Sequence, residues 1–207
     1  MNQKAIDPAY KAAEMYEEVL VKSVFNYWTP LLIERAAPRP GEKILDLACG
    51  TGVAARAMVP IVGDQGKVTG LDKSSAMLSI ACRQFSAYCD EIDWWEGVAE
   101  KMPFADELFD MVVCQQGLQF FLDRPAAARE MRRVLRPGGR AAIAVWQDVG
   151  QHPFYKTIFE AVAEAMSVPF PAVAAIFAFG NAPELAALLE TAGFTAVRVE
   201  SVSQEVH

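Results

Sequence analysis

Residues 44–56 read ILDLACGTGVAAR: a run of aliphatic residues, then Gly-Thr-Gly, then small residues suited to a helix. A strand that turns through glycines straight into a helix constrains the fold more than any other feature here. The turn needs backbone conformations that a Cβ disfavours, and such a unit opens a parallel α/β sheet. The rest of the chain keeps the same rhythm. Short apolar runs at Lys43–Ala48, Lys67–Leu71, Ile92–Trp95, Met111–Cys114, Ala141–Trp146 and Ala196–Val202 alternate with helical patterns. This predicts an α/β architecture with a doubly wound, mostly parallel sheet.

Cap signals mark the helices between these runs. Ser74 or Ser75 opens a helix through about Ala87, and Asp123 with Pro125 opens one through Leu135, closed by Pro137-Gly138-Gly139. Asn181 with Pro183 begins another, which Gly193 ends. Two segments stand outside the alternation. Pro8–Ala37 reads as mostly helical, with Thr29-Pro30 as a break and cap between two pieces; His152–Gly180 reads as a helix over Phe154–Met166 followed by an irregular apolar cap. We therefore expect one domain over 1–207, with a helical cap at 1–37, a core at 38–148, a cap or lid insertion at 149–181, and a C-terminal helix and strand at 182–207.

The formal net charge of −7, without a basic block, argues against gripping a nucleic acid backbone. Cys49, Cys82, Cys89 and Cys114 lie far apart with no C-x-x-C pair, which suits a reducing, cytoplasmic setting, and no metal is expected. The N-terminus lacks the basic flank and apolar centre of a leader, and no uncharged apolar run is long enough to insert stably in a membrane.

The glycine turn allows three readings. A phosphate loop of the G-x-x-x-x-G-K-[ST] kind fails, because no lysine follows Gly52. A dinucleotide turn fits Gly50, Gly52 and Ala55, and Asp72 closes the next strand at the distance where an acid meets ribose hydroxyls. Asp46, however, sits four residues before Gly50, where a carboxylate repels a pyrophosphate and favours a cation. S-adenosylmethionine carries an ammonium and a sulfonium and no phosphate.

The segments LDLACGTG, TGLDKSSAML, WWEGVAEKMPFADELFDMVVCQQGLQFF and REMRRVLRPGGRAAIAVW, in this order, resemble the class I S-adenosylmethionine-dependent methyltransferases. The similarity is greatest to the small-molecule branch with the ubiquinone and menaquinone C-methyltransferases. It spans Gly41 to Trp146 continuously and implies a Rossmann-like sheet that finishes with an antiparallel pair, of which about one strand is expected within these residues, with 38–148 as the cofactor-binding core. The resemblance also implies that Asp46, Ala48, Gly50 and Gly52 line the methionine and ribose side, that Asp72 and the adjoining Lys73 meet the ribose, and that Met77, Val98 and Ala99 surround the adenine. Cys114, Gln115 and Gln116 would lie beside the methionine moiety, and Leu118 to Phe121 would border the substrate cavity. Two positions depart from the family pattern. Ala48 stands where glycine is common, and Val98 stands where an acid usually accepts the adenine amino group, a loss of roughly 1 kcal/mol.

Methyl transfer to an activated carbon asks the protein for proximity, alignment and exclusion of water. A base is needed only if the acceptor must lose a proton, and His152 is the candidate catalytic residue, with Tyr10, Tyr16 and Tyr155 as hydrogen-bonding alternatives. Tyr27, Trp28, Phe170, Phe177 and Phe179 join Tyr10 and Tyr16 as candidates for an apolar lid over a hydrophobic or aromatic small-molecule acceptor; the same residues suit a core or a homodimer surface. The expected activity is a small-molecule methyltransferase. Two alternatives stand beside it: a nicotinamide-dependent oxidoreductase, and a methyltransferase-like module that binds cofactor without turnover.

Overall fold

The structure, a computed structural model, describes residues 7–84 and 91–203. Five strands form one sheet: β1 (Lys43–Leu47), β2 (Lys67–Asp72), β3 (Ile92–Glu96), β4 (Phe109–Gln115) and β5 (Leu135–Ala144). All pairings are parallel and the order is β3-β2-β1-β4-β5. The chain winds outward from β1 to β3, then returns to the other side of β1 for β4. Such a reversal opens a crevice beyond the carboxyl ends of β1 and β4.

The helices are α1 (Pro8–Met15), α2 (Asn26–Ala36), α3 (Val53–Val62), α4 (Ser75–Gln84), α5 (Arg124–Val134), α6 (Pro153–Met166), α7 (Phe170–Val173) and α8 (Ala182–Thr191). Strand alternation splits the core into two layers. Leu45, Leu47, Val112 and Cys114 face one way, onto Ala127, Met131 and Val134 of α5 and Leu185 and Leu189 of α8. Ile44, Val68, Met111 and Val113 face the other way, onto Leu32 and Ile33 of α2 and Ala54 and Met58 of α3. The two helix starts expected from Asp123 and Asn181 are present, since their side chains accept the N–H of Ala126 at 2.8 Å and of Glu184 at 3.0 Å. Ser74 Oγ accepts the N–H of Met77 at 3.3 Å as α4 begins, and the expected continuation to Ala87 lies outside the described residues, as does Cys89. No described helix is long and apolar enough to cross a membrane.

Three expectations are corrected. The chain does not break at Thr29-Pro30: Pro30 sits inside α2, and the preceding residues Tyr16–Phe25 form wide i→i+5 turns, with the Asn26 N–H bonded to the Val21 carbonyl. A widened turn next to the proline relieves the clash of its ring with the carbonyl four residues back, so the helix continues. Pro137-Gly138-Gly139 does not separate helix from strand. β5 starts at Leu135, and the register jumps from Phe109 opposite Leu135 to Met111 opposite Arg140, so the Pro-Gly-Gly stretch bulges within the strand. The strand ends at Ala144 rather than Trp146. Third, Ala196–Val202 is no strand over its described length. Ala196 has φ 55°, a left-handed conformation that interrupts an extended run, and Val197 packs on the core instead of joining the sheet.

Candidate functional site

Asp46, Gly70 and Trp94 are register partners across β1, β2 and β3, and so share the α3 side of the sheet. Gly70 has no side chain, which lets the Trp94 indole lie over it; a Cβ there would fall 2.5 Å from the ring. The far edge of the same indole fills the space in which Gly52 would carry a Cβ. Gly52 also has φ 82°, so its missing side chain is demanded by both the conformation and the packing. Asp46 is 1% exposed, and its Oδ2 accepts the N–H of Ala55 at 2.8 Å, which ties β1 to the first turn of α3. Burial, aided by the charge of Asp72, pushes the Asp46 carboxyl up to about 7, against the pull of the Ala55 N–H and of Arg56.

Asp72 stitches the turn from the neighbouring strand. Its Oδ2 accepts the N–H of Gly50 and its Oδ1 that of Ser74, each at 2.8 Å. Other amides of the turn are engaged as well: Gly52 N–H bonds the Cys49 carbonyl at 2.8 Å, and Cys49 N–H the Leu71 carbonyl at 3.1 Å. With Gly50, Gly52 and Ala55 already donating within the protein, the turn offers a phosphate few of the N–H groups that would grip it. Two carboxylates beside it favour a cation, so the residues present fit S-adenosylmethionine better than a dinucleotide.

The other expected cofactor residues take distinct places. Ala48 follows β1 in a left-handed conformation, φ 56°, and its Cβ closes on Gly117 after β4. Lys73 is exposed at the wall of a cavity of about 310 Å³ shared with Asp7, Tyr10, Ser74, Ser75 and Ser79. Met77 is half-buried on α4, Val98 is 45% exposed and Ala99 is buried beside it. Cys114 is wholly buried on the α5 side, where burial pushes its thiol up to about 12, so only its backbone can face the crevice. Gln115 points to the α2 side, its Oε1 accepting from Thr29 Oγ1 at 3.0 Å. Gln116 has φ 46° and joins the ends of β4 and β5 through its N–H to the Ala144 carbonyl at 2.8 Å.

A row of polar atoms remains without partners at these strand ends. It comprises Gln115 Nε2, Gln116 Oε1, both amide atoms of Gln119, and His152 Nε2. Buried polar atoms are paired in the great majority of cases, with protein groups or with water, so these atoms are available to a ligand or to water. Gln119 lies in the short turn Leu118–Phe120, which rests against the turn Ala175–Phe177. The Phe177 ring is 4.9 Å from His152, and His152 is 5.9 Å from Trp146, which meets Trp28 of α2 at 5.9 Å. Tyr155 and Phe159 of α6 complete this aromatic wall. Burial holds the His152 imidazole below its ordinary value, opposed by the Gln147 backbone and Asp148. Phe179, expected in the lid, is instead core: it is 3% exposed, with the Arg124 guanidinium 4.5 Å over its ring.

Sequence reasoning missed Trp94 as the support beneath Gly52, Gln119 as an unpartnered amide, and the position of Tyr16. Tyr16 lies with its ring and hydroxyl 3.9 Å from where Gly50 would carry a Cβ, over the outer face of the turn. Its phenol is raised well above its ordinary range by burial and then by the charges of Asp72 and Asp46. The pairing of Gly70 with Trp94 had a signal in the sequence, a glycine inside an apolar strand.

The model of the ubiE/COQ5 methyltransferase family matches residues 3–207. A 2-phytyl-1,4-naphtoquinone methyltransferase of Thermosynechococcus vestitus is 33% identical over 201 residues, covering 91% of this chain and 89% of that protein. The protein of the same description from Synechococcus elongatus is 40% identical over 119 residues, 56% of this chain; that match spans only about half, 51%, of its length. A SAM-dependent methyltransferase from Aquifex aeolicus superposes with a TM-score of 0.59 at 18% identity, covering 69% of this chain and 74% of that one, a likeness of fold alone.

Proposed function

The chain belongs to the ubiE/COQ5 methyltransferase family, and from that premise we propose that it binds S-adenosylmethionine at the glycine turn and transfers a methyl group to a small hydrophobic, aromatic acceptor. The observation that carries the cofactor half is the pair Asp46 and Asp72 around a turn whose amides are already engaged. When bound, S-adenosylmethionine supplies a methyl carbon activated by the adjacent sulfonium. Asp72 holds Gly50 in place for its approach, and Asp46 favours positive charge above α3.

The acceptor half rests on the unpartnered amides and His152 among aromatic rings. Gln116 and Gln119 offer both donors and acceptors to ring oxygens, while Trp28, Trp146, Tyr155 and Phe177 offer faces to an apolar ring. The relatives named for a naphthoquinone support an acceptor of quinone or quinol type. His152, neutral at pH 7, holds Nε2 free to take a proton from an acceptor hydroxyl as the new bond forms. The free thiols Cys49, Cys82 and Cys114 suit action in a reducing cytosol, and the acidic balance suits a small molecule over a nucleic acid.

A second reading, binding without turnover, is favoured only by Val98, whose exposed apolar side chain gives an adenine amino group nothing to bond. Calorimetric titration with S-adenosylmethionine, S-adenosylhomocysteine and NAD, followed by mass spectrometry on a panel of quinols, separates the readings. Binding of the first two with methylation of a quinol is the expected result. Binding of NAD alone would overturn the cofactor assignment, and methylation restricted to charged polar acceptors would overturn the acceptor class.

A further inference from the structure

The N-terminal segment is tied across the glycine turn at three points. Glu17 is buried and pairs with Arg56 of α3 at 2.9 Å, and the same guanidinium holds the Thr51 carbonyl at 2.6 Å. Thr29 of α2 bonds Gln115 at 3.0 Å. On the surface, Glu14 pairs with Arg83 of α4 at 2.8 Å, and that guanidinium lies 4.9 Å over the Tyr10 ring. Between the ties, Tyr16 covers Gly50. A ligand that reaches the turn from outside meets the phenol first.

The ties differ in strength. Glu14 and Arg83 are solvent-exposed, and such pairs contribute little. Glu17 and Arg56 are shielded, at 11% and 14% side-chain exposure, yet Glu17 Oε2 has no hydrogen-bond partner. A buried carboxylate satisfied on one side only is a contact that can be given up at lower cost than a complete one. Behind it lies the wide-turn segment Tyr16–Phe25. Wide turns of this kind occur at functional sites, and closing one to ordinary α-helical spacing swings the chain before it by roughly 100°, the rotation per residue.

We propose that Tyr16–Phe25 is a gate over the cofactor site, with Tyr16 as the plug and the Glu17–Arg56 ion pair as its latch. It rests on the S-adenosylmethionine reading above. In the closed form the phenol lies against Gly50, on the space its Cβ would face; cationic cofactor takes its place only after the segment swings away. Entry is then limited by opening, and the helix after the wide turn stays anchored by Thr29.

Stopped-flow tryptophan fluorescence with S-adenosylhomocysteine as the probe tests this, because Trp94 lies directly beneath the turn. The observed rate should level off with ligand concentration at the opening rate, and Glu17→Gln should raise that plateau at least threefold without changing the fold by circular dichroism. A rate that stays linear in ligand, and equal in wild type and Glu17→Gln, would overturn the gate while leaving the cofactor site intact. Hydrogen exchange on the wild-type chain gives a check that needs no variant: amides of 16–25 should exchange at least tenfold faster than those of β1, and equal protection would count against the gate. Calorimetric silence toward the probe in both wild type and Tyr16→Ala would overturn the cofactor reading and the gate together. Binding regained or accelerated only in Tyr16→Ala would support both.

Discussion

Asp72 and Gly50 are joined by a 2.8 Å hydrogen bond from the glycine N–H to the carboxylate, with the other carboxylate oxygen bound to Ser74. One side chain on β2 thus sets both the glycine turn after β1 and the start of α4. Asp72→Ala removes two bonds to a charged acceptor, so the chain should lose about 2 kcal/mol of stability together with S-adenosylhomocysteine binding. Asp72→Asn, which keeps one acceptor oxygen, should fall between the two. Denaturant melts and calorimetry read both quantities, and full binding by Asp72→Ala would remove the turn from the cofactor site.

Asp46 predicts a pH dependence. Its carboxyl ionises at about 7 in the folded chain against 3.8 for an ordinary aspartate. Between those values the folded chain keeps a proton that the unfolded chain has lost, so stability from this group falls as pH rises from about 4 to 7 and is level above. Asp46→Asn, which can still accept the Ala55 N–H, should flatten the profile by about 4 kcal/mol over that window. Parallel profiles would show that the start of α3 already holds Asp46 ionised. A bound cation lowers the same carboxyl, so cofactor binding near pH 7 should release protons, seen as buffer-dependent binding enthalpy.

Gly52→Ala places a methyl against Trp94 at a φ of 82°. The combined cost of overpacking and left-handed strain should be about 2–4 kcal/mol, with a shift in Trp94 fluorescence. Adding Trp94→Phe should recover the overpacking part and leave the backbone part, and a double-mutant cycle isolates it. Strict additivity would place the two residues out of contact.

The proposed acceptor site assigns His152 and Gln119 different tasks. A base held below its ordinary value predicts an acid limb in turnover below pH 6.5, which His152→Ala should abolish while lowering the rate about tenfold or more. Cofactor affinity should not change. Gln119→Leu replaces two unpartnered buried atoms with an apolar group, so the chain should gain about 1 kcal/mol of stability while KM for the acceptor rises. Unchanged KM would assign Gln119 to the core.

The alternating apolar runs, the glycine turn and the caps at Asp123 and Asn181 were all legible in the sequence, because each depends on neighbours within a few residues. That Asp46 and Asp72 flank the glycine turn was legible for the same reason, since strand ends and turns are local. The sequence could not show that Trp94 crosses Gly70 to support Gly52, because strand register pairs residues far apart in the chain. It could not show that Pro30 is carried inside a helix by a widened turn, or that a left-handed Ala196 keeps the last apolar run out of the sheet. Nor could it choose among the fates of similar aromatics. Tyr16 over the turn, Phe177 against His152 and Phe179 in the core read alike as apolar rings, and only packing in three dimensions separates them.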